Sequence, residues 1–368
     1  MAADQISFAR GAPSLDIVDV EGLKAAAVAA FEADPAGVTA YGTSVGYPPL
    51  RKWLADRYEV EPENVLITNG SMQAGAFLFD TLVGDGTAVV VERPTYDRTL
   101  LGLKARGAEI HTVDLDSEGI IVESLEELLK SGVRPALVHV IPNFHNPAGC
   151  TLPLDRRTRL VELAREYGFV LFEDDPYRDV RFEGEQLPSM LEIDRSMGGD
   201  VGSVIHACSF TKTVCPGVRV GWLVGESKLI EPIRNLATGT YIAPGMVAQG
   251  LVHQFVLSGA FDRSIASVSK ALGERATALG AALASALPTA EFTLPRGGYF
   301  LWLRIPGANG VELAAAAAEQ GVAIVPGSDF MAEGGEEFVR LAYSAASVPE
   351  IEEGVRRLAA AARELGIG

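Results

Sequence analysis

The chain has 368 residues, of which 48% are hydrophobic and 21% are charged, so it can bury a substantial core in one large domain or in a large and a small one. Lys and Arg together number 31 against 48 Asp and Glu, which gives a formal net charge of −17. A field of this sign repels polyanions, which argues against nucleic acid or an anionic membrane as the main partner.

The first forty residues (1–40) are predicted to form an arm that packs on a larger body and carries one helix near Val20–Ala33. From residue 65 to residue 224, short β-branched apolar runs alternate with segments of helical spacing, a pattern typical of strands covered on both faces by crossover helices. The helical segments include 71–83 and 155–167, with Gly168 in the place of a C-cap glycine. The predicted strands are 65–68, 88–92, 109–113, 136–142, 169–173, 204–208 and 219–224. The prediction is an α/β domain over 41–254 with a mostly parallel seven-stranded sheet.

A smaller α+β domain is predicted over 255–368, where the sequence pattern changes. A long helical stretch comes first, followed by a strand pair at 292–294 and 299–304 around Pro295-Arg296-Gly297-Gly298. An alanine-rich helix at 311–320, a strand at 338–343 and a last helix from Val348 complete this domain.

Three cysteines, Cys150, Cys208 and Cys215, are too few and too irregularly spaced for a disulfide framework or a zinc site, and they indicate a reducing compartment. The N-terminus lacks the basic start and apolar run of a secretory signal, and no stretch approaches the roughly 20 apolar residues of a membrane span. We therefore expect a compact soluble protein of the cytoplasm that binds no metal.

Polar residues follow five of the predicted strands. Ligands of open α/β sheets bind at the carboxyl ends of the strands, so these clusters are expected to meet at one site. Turn residues also follow strands where no site exists, so each cluster alone is a weak signal. The clusters are Asn69 to Ser71, Arg93 to Tyr96, Asn143 to Asn146, Asp174 to Tyr177, and Ser209 to Lys212.

The segment Ser209-Phe210-Thr211-Lys212 directly follows an apolar strand, which predicts that the Lys212 amine lies in a partly enclosed cleft rather than on the solvated surface. Enclosure favours the neutral amine, and such an amine forms a Schiff base with a carbonyl. Ser209 precedes it by three residues and Arg219 follows it by seven, so a hydroxyl and a guanidinium are expected to flank one phosphate. Gly70-Ser71, at the start of a predicted helix, adds N–H donors to that site or serves as a plain N-cap.

Glu173-Asp174-Asp175 places three carboxylates at the end of a buried strand, an unfavourable arrangement unless cations or donors meet them. A carboxylate facing a pyridine nitrogen would keep that nitrogen protonated. Asn146-Pro147-Ala148-Gly149 is either an ordinary turn or the source of an amide that donates to a phenolate oxygen.

Together, Asn146-Pro147-x-Gly149, Asp174-x-x-Tyr177, Ser209-x-x-Lys212 and Arg219 resemble the class I/II aminotransferases, which are fold-type I pyridoxal-phosphate enzymes. The motifs at 142–149, 173–177 and 209–212 resemble the branch that contains 2-aminoadipate and kynurenine aminotransferases. The resemblance covers essentially the whole chain. It implies transfer of an amino group between an L-amino acid and a 2-oxo acid, with 2-oxoglutarate as the acceptor, by a ping-pong mechanism.

The resemblance also implies how pyridoxal 5'-phosphate is bound. Lys212 forms the Schiff base and moves a proton between the substrate Cα and the cofactor. Asp174 pairs with the pyridinium nitrogen, and Asn146 and Tyr177 bind the phenolic oxygen. The remaining cofactor-binding residues are Tyr96, stacked on the ring, and Gly70, Ser71, Met72, Ser209 and Arg219 around the phosphate.

Substrate-binding roles are implied for Arg340, Asn146, Gly11 and Arg10. Arg340 grips the α-carboxylate in a bidentate fork, unless it belongs to a surface salt bridge. Arg10, in the N-terminal arm, is the candidate for binding a side-chain carboxylate. Aromatic or branched substrates would need an apolar lining, for which Ile17, Tyr47 and Tyr241 are candidates. Tyr41 is expected to reach the phosphate of a partner subunit, which requires a homodimer.

The chain departs from the branch at three positions: His145 and Met72 stand where Gln is common, and Cys215 stands where Ala is common. We interpret His145 as a neighbour of the site rather than as an acid or base. The departures leave open a second reading, a pyridoxal-phosphate-dependent lyase, cyclase or oxidase of a biosynthetic pathway. A transcription regulator built on the same fold is disfavoured, because such proteins carry a basic DNA-binding domain and this chain is acidic.

Overall fold

The computed structural model describes residues 5–198 and 202–367. Within these residues the chain forms thirteen β-strands. In chain order they are β1 (Ile6–Ser7), β2 (Val65–Thr68), β3 (Ala88–Arg93), β4 (Glu109–Asp116), β5 (Gly119–Ile120), β6 (Leu137–Val140), β7 (Val170–Asp174), β8 (Val204–Ser209), β9 (Gly221–Gly225), β10 (Phe300–Arg304), β11 (Val322–Ala323), β12 (Val325–Pro326) and β13 (Phe338–Ala342).

Thirteen α-helices lie in the same described ranges, and none of them is long and apolar enough to cross a membrane. They are α1 (Val20–Ala33), α2 (Pro35–Thr39), α3 (Pro48–Tyr58), α4 (Ser71–Leu82), α5 (Asp97–Lys104), α6 (Val122–Lys130), α7 (Leu154–Tyr167), α8 (Met190–Ser196), α9 (Ser227–Thr240), α10 (Met246–Leu257), α11 (Ala260–Ala286), α12 (Gly310–Glu319) and α13 (Val348–Glu364).

The central sheet has the order β2-β9-β8-β7-β6-β3-β4-β5. β9 runs antiparallel to β2 and β8, β5 runs antiparallel to β4, and the other neighbours are parallel. All seven predicted strands are therefore present, and the α/β fold class is confirmed. The eighth strand is β5, whose two residues are too few to produce a recognisable apolar pattern in the sequence.

The predicted helices of this half are also present, as α4 and α7. Gly168 ends α7 in the left-handed conformation, with a φ of 75°, as expected of a C-cap glycine. The strand predicted over 219–224 begins later than expected: β9 begins at Gly221, and Arg219 lies before it with a φ of 48°. This left-handed residue turns the chain between the short 3₁₀ helix Pro216–Val218 and β9, so that its side chain points back towards Gly70.

Three hydrophobic clusters hold the fold together. Two of them cover the two faces of the central sheet, and the third joins the C-terminal elements to the beginning of the chain. The long helix α11 contributes Phe261 to a sheet cluster and Val268 to the third cluster. Division into domains at 40 and 254 stays a prediction.

The C-terminal elements include a three-stranded sheet of order β10-β13-β12. The predicted strand at 292–294 was wrong, because the structure has no strand there and only an isolated bridge just before it, from Glu291 to Arg304 of β10. Its alternating apolar residues, Phe292 and Leu294, lie over Gly280 of α11 instead. Alternating apolar residues thus pack against a helix here, although the same alternation is typical of a paired strand.

The beginning of the chain packs on these C-terminal elements. β1 pairs in parallel with β11, with Ile6 opposite Val322. The ring of Phe8 lies directly against Gly354 of α13, where a side chain would leave it no room. The arm then continues towards the carboxyl end of the central sheet.

Candidate active site

The strands β2, β3, β6, β7 and β8 run in the same direction, so their carboxyl ends meet at one edge of the sheet. A cavity of about 280 Å³ lies at this edge. Nine of the predicted site residues line it: Ser71, Met72, Tyr96, Asn146, Asp174, Tyr177, Ser209, Lys212 and Arg219. The expectation that the polar clusters converge is therefore confirmed.

Five predicted site residues do not line this cavity. Gly70 lies beneath the Arg219 guanidinium, while Gly11 and Arg340 contact residues of the cavity from the side of the arm. The side chain of Arg10 is exposed. Tyr41 is 89% exposed and lines a separate surface cleft beside α9 and α10, so it does not reach the cavity of its own chain.

The Lys212 amine lies between two aromatic rings, 5.4 Å from the ring centre of Tyr177 and 5.0 Å from that of Tyr299. It donates a hydrogen bond of 2.6 Å to the backbone oxygen of Gly11. Burial lowers the pKa of this amine to about 8, and the nearby guanidinium groups of Arg340 and Arg219 act in the same direction. A substantial neutral fraction near pH 8 makes Lys212 a nucleophile.

Asp174 ends β7 with a side chain that is 14% exposed. Its Oδ2 lies 3.5 Å from Nε2 of the fully buried His139, and its Oδ1 has no hydrogen-bond partner among the described residues. A buried carboxylate oxygen without a donor is unfavourable, so the geometry suits a ligand that brings an N–H to this point. His139 was missed in the sequence, although it is the one polar residue of β6 (Leu137–Val140).

The neighbours of Asp174 point to the other face of the sheet, as alternation along a strand requires. Glu173 accepts hydrogen bonds from the Met190 backbone N–H and from His206, and Asp175 accepts two from the Asn143 amide, both at 2.9 Å. Burial raises the pKa of Asp175. These donors resolve the conflict of three adjacent carboxylates and leave Asp174 alone to face the cavity.

Asn146 and Arg340 are joined by a hydrogen bond of 3.0 Å from Arg340 Nη1 to Asn146 Oδ1. Arg340 Nη2 donates to the Ala9 backbone oxygen at 2.7 Å, and the guanidinium lies over the rings of Phe300 and Phe330 at 4.3 and 4.6 Å. Its buried Nε has no partner within the described ranges, and no ion pair to a carboxylate is formed there. Such a guanidinium suits the carboxylate of a ligand.

A ring of donors surrounds the end of the cavity where α4 begins. Ser71 is the first residue of α4, so the unpaired N–H groups of the helix start point into the cavity. Ser209 Oγ donates to Thr211 Oγ1 at 2.8 Å, and the exposed Arg219 makes only long contacts of 3.4 Å with Thr211 and with backbone oxygens. Thr211 was missed in the sequence; a hydroxyl between Ser209 and Lys212 was the available signal.

Tyr96 and Tyr177 form the aromatic walls. The Tyr96 hydroxyl lies 3.4 Å from the sulfur of Met72, and burial raises the pKa of Tyr96 to about 12. Burial also raises the pKa of Tyr177, so both hydroxyls stay protonated donors at neutral pH. Tyr299 was not predicted from the sequence. Its hydroxyl donates a hydrogen bond of 2.7 Å to the Lys212 backbone oxygen.

The three candidates for an apolar substrate lining are not among the described residues that line this cavity. Ile17 belongs to the third hydrophobic cluster, the Tyr47 hydroxyl is bound to Asp34, and Tyr241 stacks on Phe77. All three side chains are committed to packing away from the cavity. The cysteines are free thiols, as expected from their spacing, and burial raises the pKa of Cys150 and Cys208.

These features fit pyridoxal phosphate. The partnerless Asp174 oxygen matches a ring N–H, the Tyr96 ring that lines the cavity matches an aromatic partner, and the donors around Ser71 and Arg219 match a phosphate. Lys212 supplies the amine that the aldehyde requires.

Comparison with known proteins gives the same answer. Residues 3–358 match the family described as aminotransferase class I and II. The chain is 35% identical to the 2-aminoadipate transaminase of Thermus thermophilus, over 98% of this chain and 90% of the relative, and 32% identical to aromatic-amino-acid aminotransferase 1 of Thermococcus litoralis, over 98% and 89%.

Among solved structures, the α-aminoadipate aminotransferase of Thermus thermophilus in complex with N-(5'-phosphopyridoxyl)-L-leucine superposes with a TM-score of 0.93. The identity is 34%, and the superposition covers 99% of this chain and 93% of the other. The chain therefore belongs to the class I and II aminotransferases, and it is a pyridoxal-phosphate-dependent enzyme of fold type I.

Proposed function

We propose that this aminotransferase moves the amino group of an L-amino acid to 2-oxoglutarate by a ping-pong mechanism, with Lys212 as the residue that holds the cofactor. The observation that supports it most directly is the arrangement of Lys212 and Arg340. Both groups donate to the same short stretch of the arm, at Gly11 and Ala9. A substrate whose carboxylate binds Arg340 would therefore hold its α-amino group near Lys212.

Each contact of the cavity has a part in this proposal. When bound, pyridoxal phosphate supplies an aldehyde that condenses with amines and a ring that withdraws electrons from the substrate Cα. Asp174 would accept a hydrogen bond from the ring nitrogen. The Asn146 amide, whose oxygen already accepts from Arg340, has its N–H free to donate to the ring oxygen together with the Tyr177 hydroxyl.

Lys212 also moves the proton of the reaction. Once the substrate amine has taken its place, the neutral Lys212 amine is the base that removes the proton from the substrate Cα. Its lowered pKa, about 8, supports this role, because a base acts best when its pKa is near the working pH. Tyr177 and Tyr299 confine the amine between them and limit its positions.

The whole function is tested by mixing the purified enzyme with single amino acids in the absence of any oxo acid. We expect some of them to convert the absorbance of the lysine-bound cofactor to that of its amine form. Consumption of an amino acid with full return of the original band would instead support a lyase, cyclase or oxidase. A Lys212→Ala variant should lose the original band, and wild-type turnover by that variant would contradict the assignment of Lys212.

Arg10 is proposed to bind the second carboxylate of an acidic substrate. Its side chain is exposed, and it lies between Ala9 and Gly11, whose backbone oxygens contact Arg340 and Lys212. The relative named 2-aminoadipate transaminase adds support for an acidic donor. We expect Arg10→Ala to raise KM for 2-oxoglutarate about tenfold, since loss of a charge-assisted hydrogen bond costs about 1.5 kcal/mol.

Pyruvate provides the control for Arg10, because it lacks the second carboxylate. Its KM should be the same in the wild type and in Arg10→Ala. An equal rise for both oxo acids would show that the arm, rather than the Arg10 charge, had been disturbed.

We also propose a homodimer in which Tyr41 reaches the phosphate site of the partner. Exposed apolar side chains support a covered surface in that region, since a monomer rarely exposes so many together. They are Tyr41, Ile242 and Val247, which line the surface cleft beside α9 and α10.

A further inference from the structure

His145 is fully buried, and both of its ring nitrogens are engaged. Nδ1 accepts a hydrogen bond of 3.2 Å from the Ala148 backbone N–H, and Nε2 lies 3.0 Å from Glu92 Oε2. A backbone N–H can only donate, so Nδ1 carries no proton and the ring is neutral, with its proton on Nε2. His145 therefore donates to Glu92.

Glu92 is itself buried at the end of β3. The same oxygen, Oε2, accepts a hydrogen bond of 2.8 Å from the Ile141 backbone N–H, and within the described ranges no Lys or Arg pairs with this carboxylate. A buried carboxylate that accepts hydrogen bonds from two N–H donors is strongly destabilised when one of the donors is removed. The His145–Glu92 hydrogen bond thus ties the turn at 145–150 to the end of β3.

His145 also closes the turn that carries Asn146. Its backbone N–H donates to Cys150 at 2.9 Å, its backbone oxygen accepts from Gly149 at 2.7 Å, and its side chain accepts from Ala148. The side-chain oxygen of Asn146 accepts a hydrogen bond from Arg340. A shift of the turn would therefore displace both the amide beside the cofactor and the guanidinium bonded to it.

We propose that His145 and Glu92 are positioning residues for Asn146 and Arg340, and that they set the affinity for substrate carboxylates through the 145–150 turn. The proposal rests on the proposed roles of Asn146 and Arg340. It assigns a task to a histidine that stands where glutamine is common in the resembling branch. A glutamine has both a donor and an acceptor, so it can bond Glu92 and Ala148 in the same way.

The test compares His145→Leu, His145→Asn and His145→Gln as purified holoenzymes. Leu removes both side-chain hydrogen bonds, Asn is too short to reach Glu92, and Gln can restore both bonds. We expect Leu and Asn to raise KM for the amino acid and the oxo acid about tenfold with a smaller change in kcat, and Gln to stay within about twofold of the wild type.

A spectral titration provides the second readout. The Asn146 amide stabilises the deprotonated form of the lysine-bound cofactor, so displacing the amide favours the protonated form. The midpoint of the absorbance titration should then move upward by about one pH unit in His145→Leu and His145→Asn, and should stay in place in His145→Gln. A change that only loosened the fold would not move this midpoint.

His111→Leu is the matched control. His111 on β4 also lies beside a glutamate, Glu109, at 3.2 Å, but this pair is partly exposed and belongs to a different strand from Glu92. KM and the titration midpoint should be unchanged in this variant. If His145→Leu gives no folded holoenzyme, His145→Asn and His145→Gln decide the outcome between them.

Two results would overturn the proposal. One is a folded His145→Asn variant with wild-type KM values and a wild-type titration midpoint. The other is a His145→Gln variant whose defect equals that of His145→Asn. Arg340→Lys in the same assay distinguishes a failure of the positioning role from a failure of the proposed function. If Arg340→Lys raises KM and His145→Asn does not, only the positioning role is wrong. If Arg340→Lys leaves KM unchanged, the proposed carboxylate site itself is wrong.

Discussion

Lys212 is the residue whose surroundings have the clearest chemical consequence. Burial lowers its pKa to about 8, with further lowering by Arg340 and Arg219 and an opposing effect of Asp174. Because burial disfavours the charged form, deprotonation begins at a lower pH than the roughly 10.4 of an ordinary lysine. At pH 8 about half of the Lys212 amine is neutral, against under about 1% for an ordinary lysine.

We expect amine-directed labelling of the cofactor-free protein to show this at Lys212. The labelling rate, followed by peptide mass spectrometry, should rise with pH and reach half its maximum near pH 8. Exposed Lys228 on α9 serves as the internal reference for reagent decay. Arg340→Gln should move the midpoint upward, since one of the positive charges that disfavour protonation is gone. A midpoint above pH 10 in the wild type would contradict the assigned environment.

At this scale the sequence was a good guide to residues that follow strands and a poor guide to those that contact them from elsewhere. Asp174, Asn146 and Lys212 stand in motifs at strand ends, so their convergence could be predicted. Tyr299 reaches Lys212 from the C-terminal elements, 87 residues away along the chain. Such a contact depends on packing, which no local pattern encodes.

The junction between α4 and β9 is the element-scale feature on which the proposed phosphate site depends. A side chain at Gly221 would come within 2.5 Å of the Gly70 backbone and still closer to the Ser71 N–H. Gly70 in turn has a φ of 87° and leaves space for Arg219. The helix start and the guanidinium can approach one phosphate only because both positions lack a side chain.

Gly221→Ala should therefore push β9 away from the start of α4. We expect a rise of about tenfold or more in the cofactor dissociation constant and a loss of about 1–3 kcal/mol in the free energy of unfolding, as overpacking usually causes. Fluorescence titration of the cofactor-free protein measures the first and denaturant unfolding measures the second.

Gly217→Ala is the control for this change. Gly217 lies in the same loop, yet a side chain there would meet nothing within 4 Å. Both quantities should stay near their wild-type values. A loss of cofactor affinity in Gly217→Ala equal to that in Gly221→Ala would show that the loop as a whole, and not the contact with α4, is responsible.

Elements with a long apolar pattern were predictable, whereas elements defined by their partner were not. The strands β2, β6 and β8 of the central sheet are buried along their whole length, so their sequences are mostly apolar. Residues 292–294 show the alternation of a strand, but α11 takes up their apolar side chains. Short strands such as β11 and β12 exist only through pairing with β1 and β13.

On the scale of the whole molecule, the exposed Tyr41 gives the sharpest test of the proposed dimer. Tyr41→Ala should weaken cofactor binding, and Lys212→Ala should abolish turnover. Mixing the two variants after dissociation would create heterodimers with one intact site, because the Lys212→Ala subunit lends its Tyr41 to the other. At limiting cofactor, activity should recover to about a quarter of the wild type, as random pairing of two chains predicts.

The unmixed variants, refolded separately, give the baseline for this experiment. Recovery above their mean supports contact between subunits at the phosphate. If mixing restores nothing while heterodimers form, Tyr41 acts in its own chain or has no part in cofactor binding.

The pairing of β1 with β11 has a consequence for the order in which the protein is made. The central sheet is complete once β9 has been synthesised, at residue 225. In contrast, β1 can pair with β11 only after residue 322 has been synthesised, and Phe8 can pack on α13 only after residue 354 has been synthesised. Domains fold as their chain leaves the ribosome, so the strands that carry Lys212 can assemble early. Arg340 and the arm that covers it come together only after those later partners have been synthesised. A nascent chain would thus be able to accept its cofactor before it can accept a substrate.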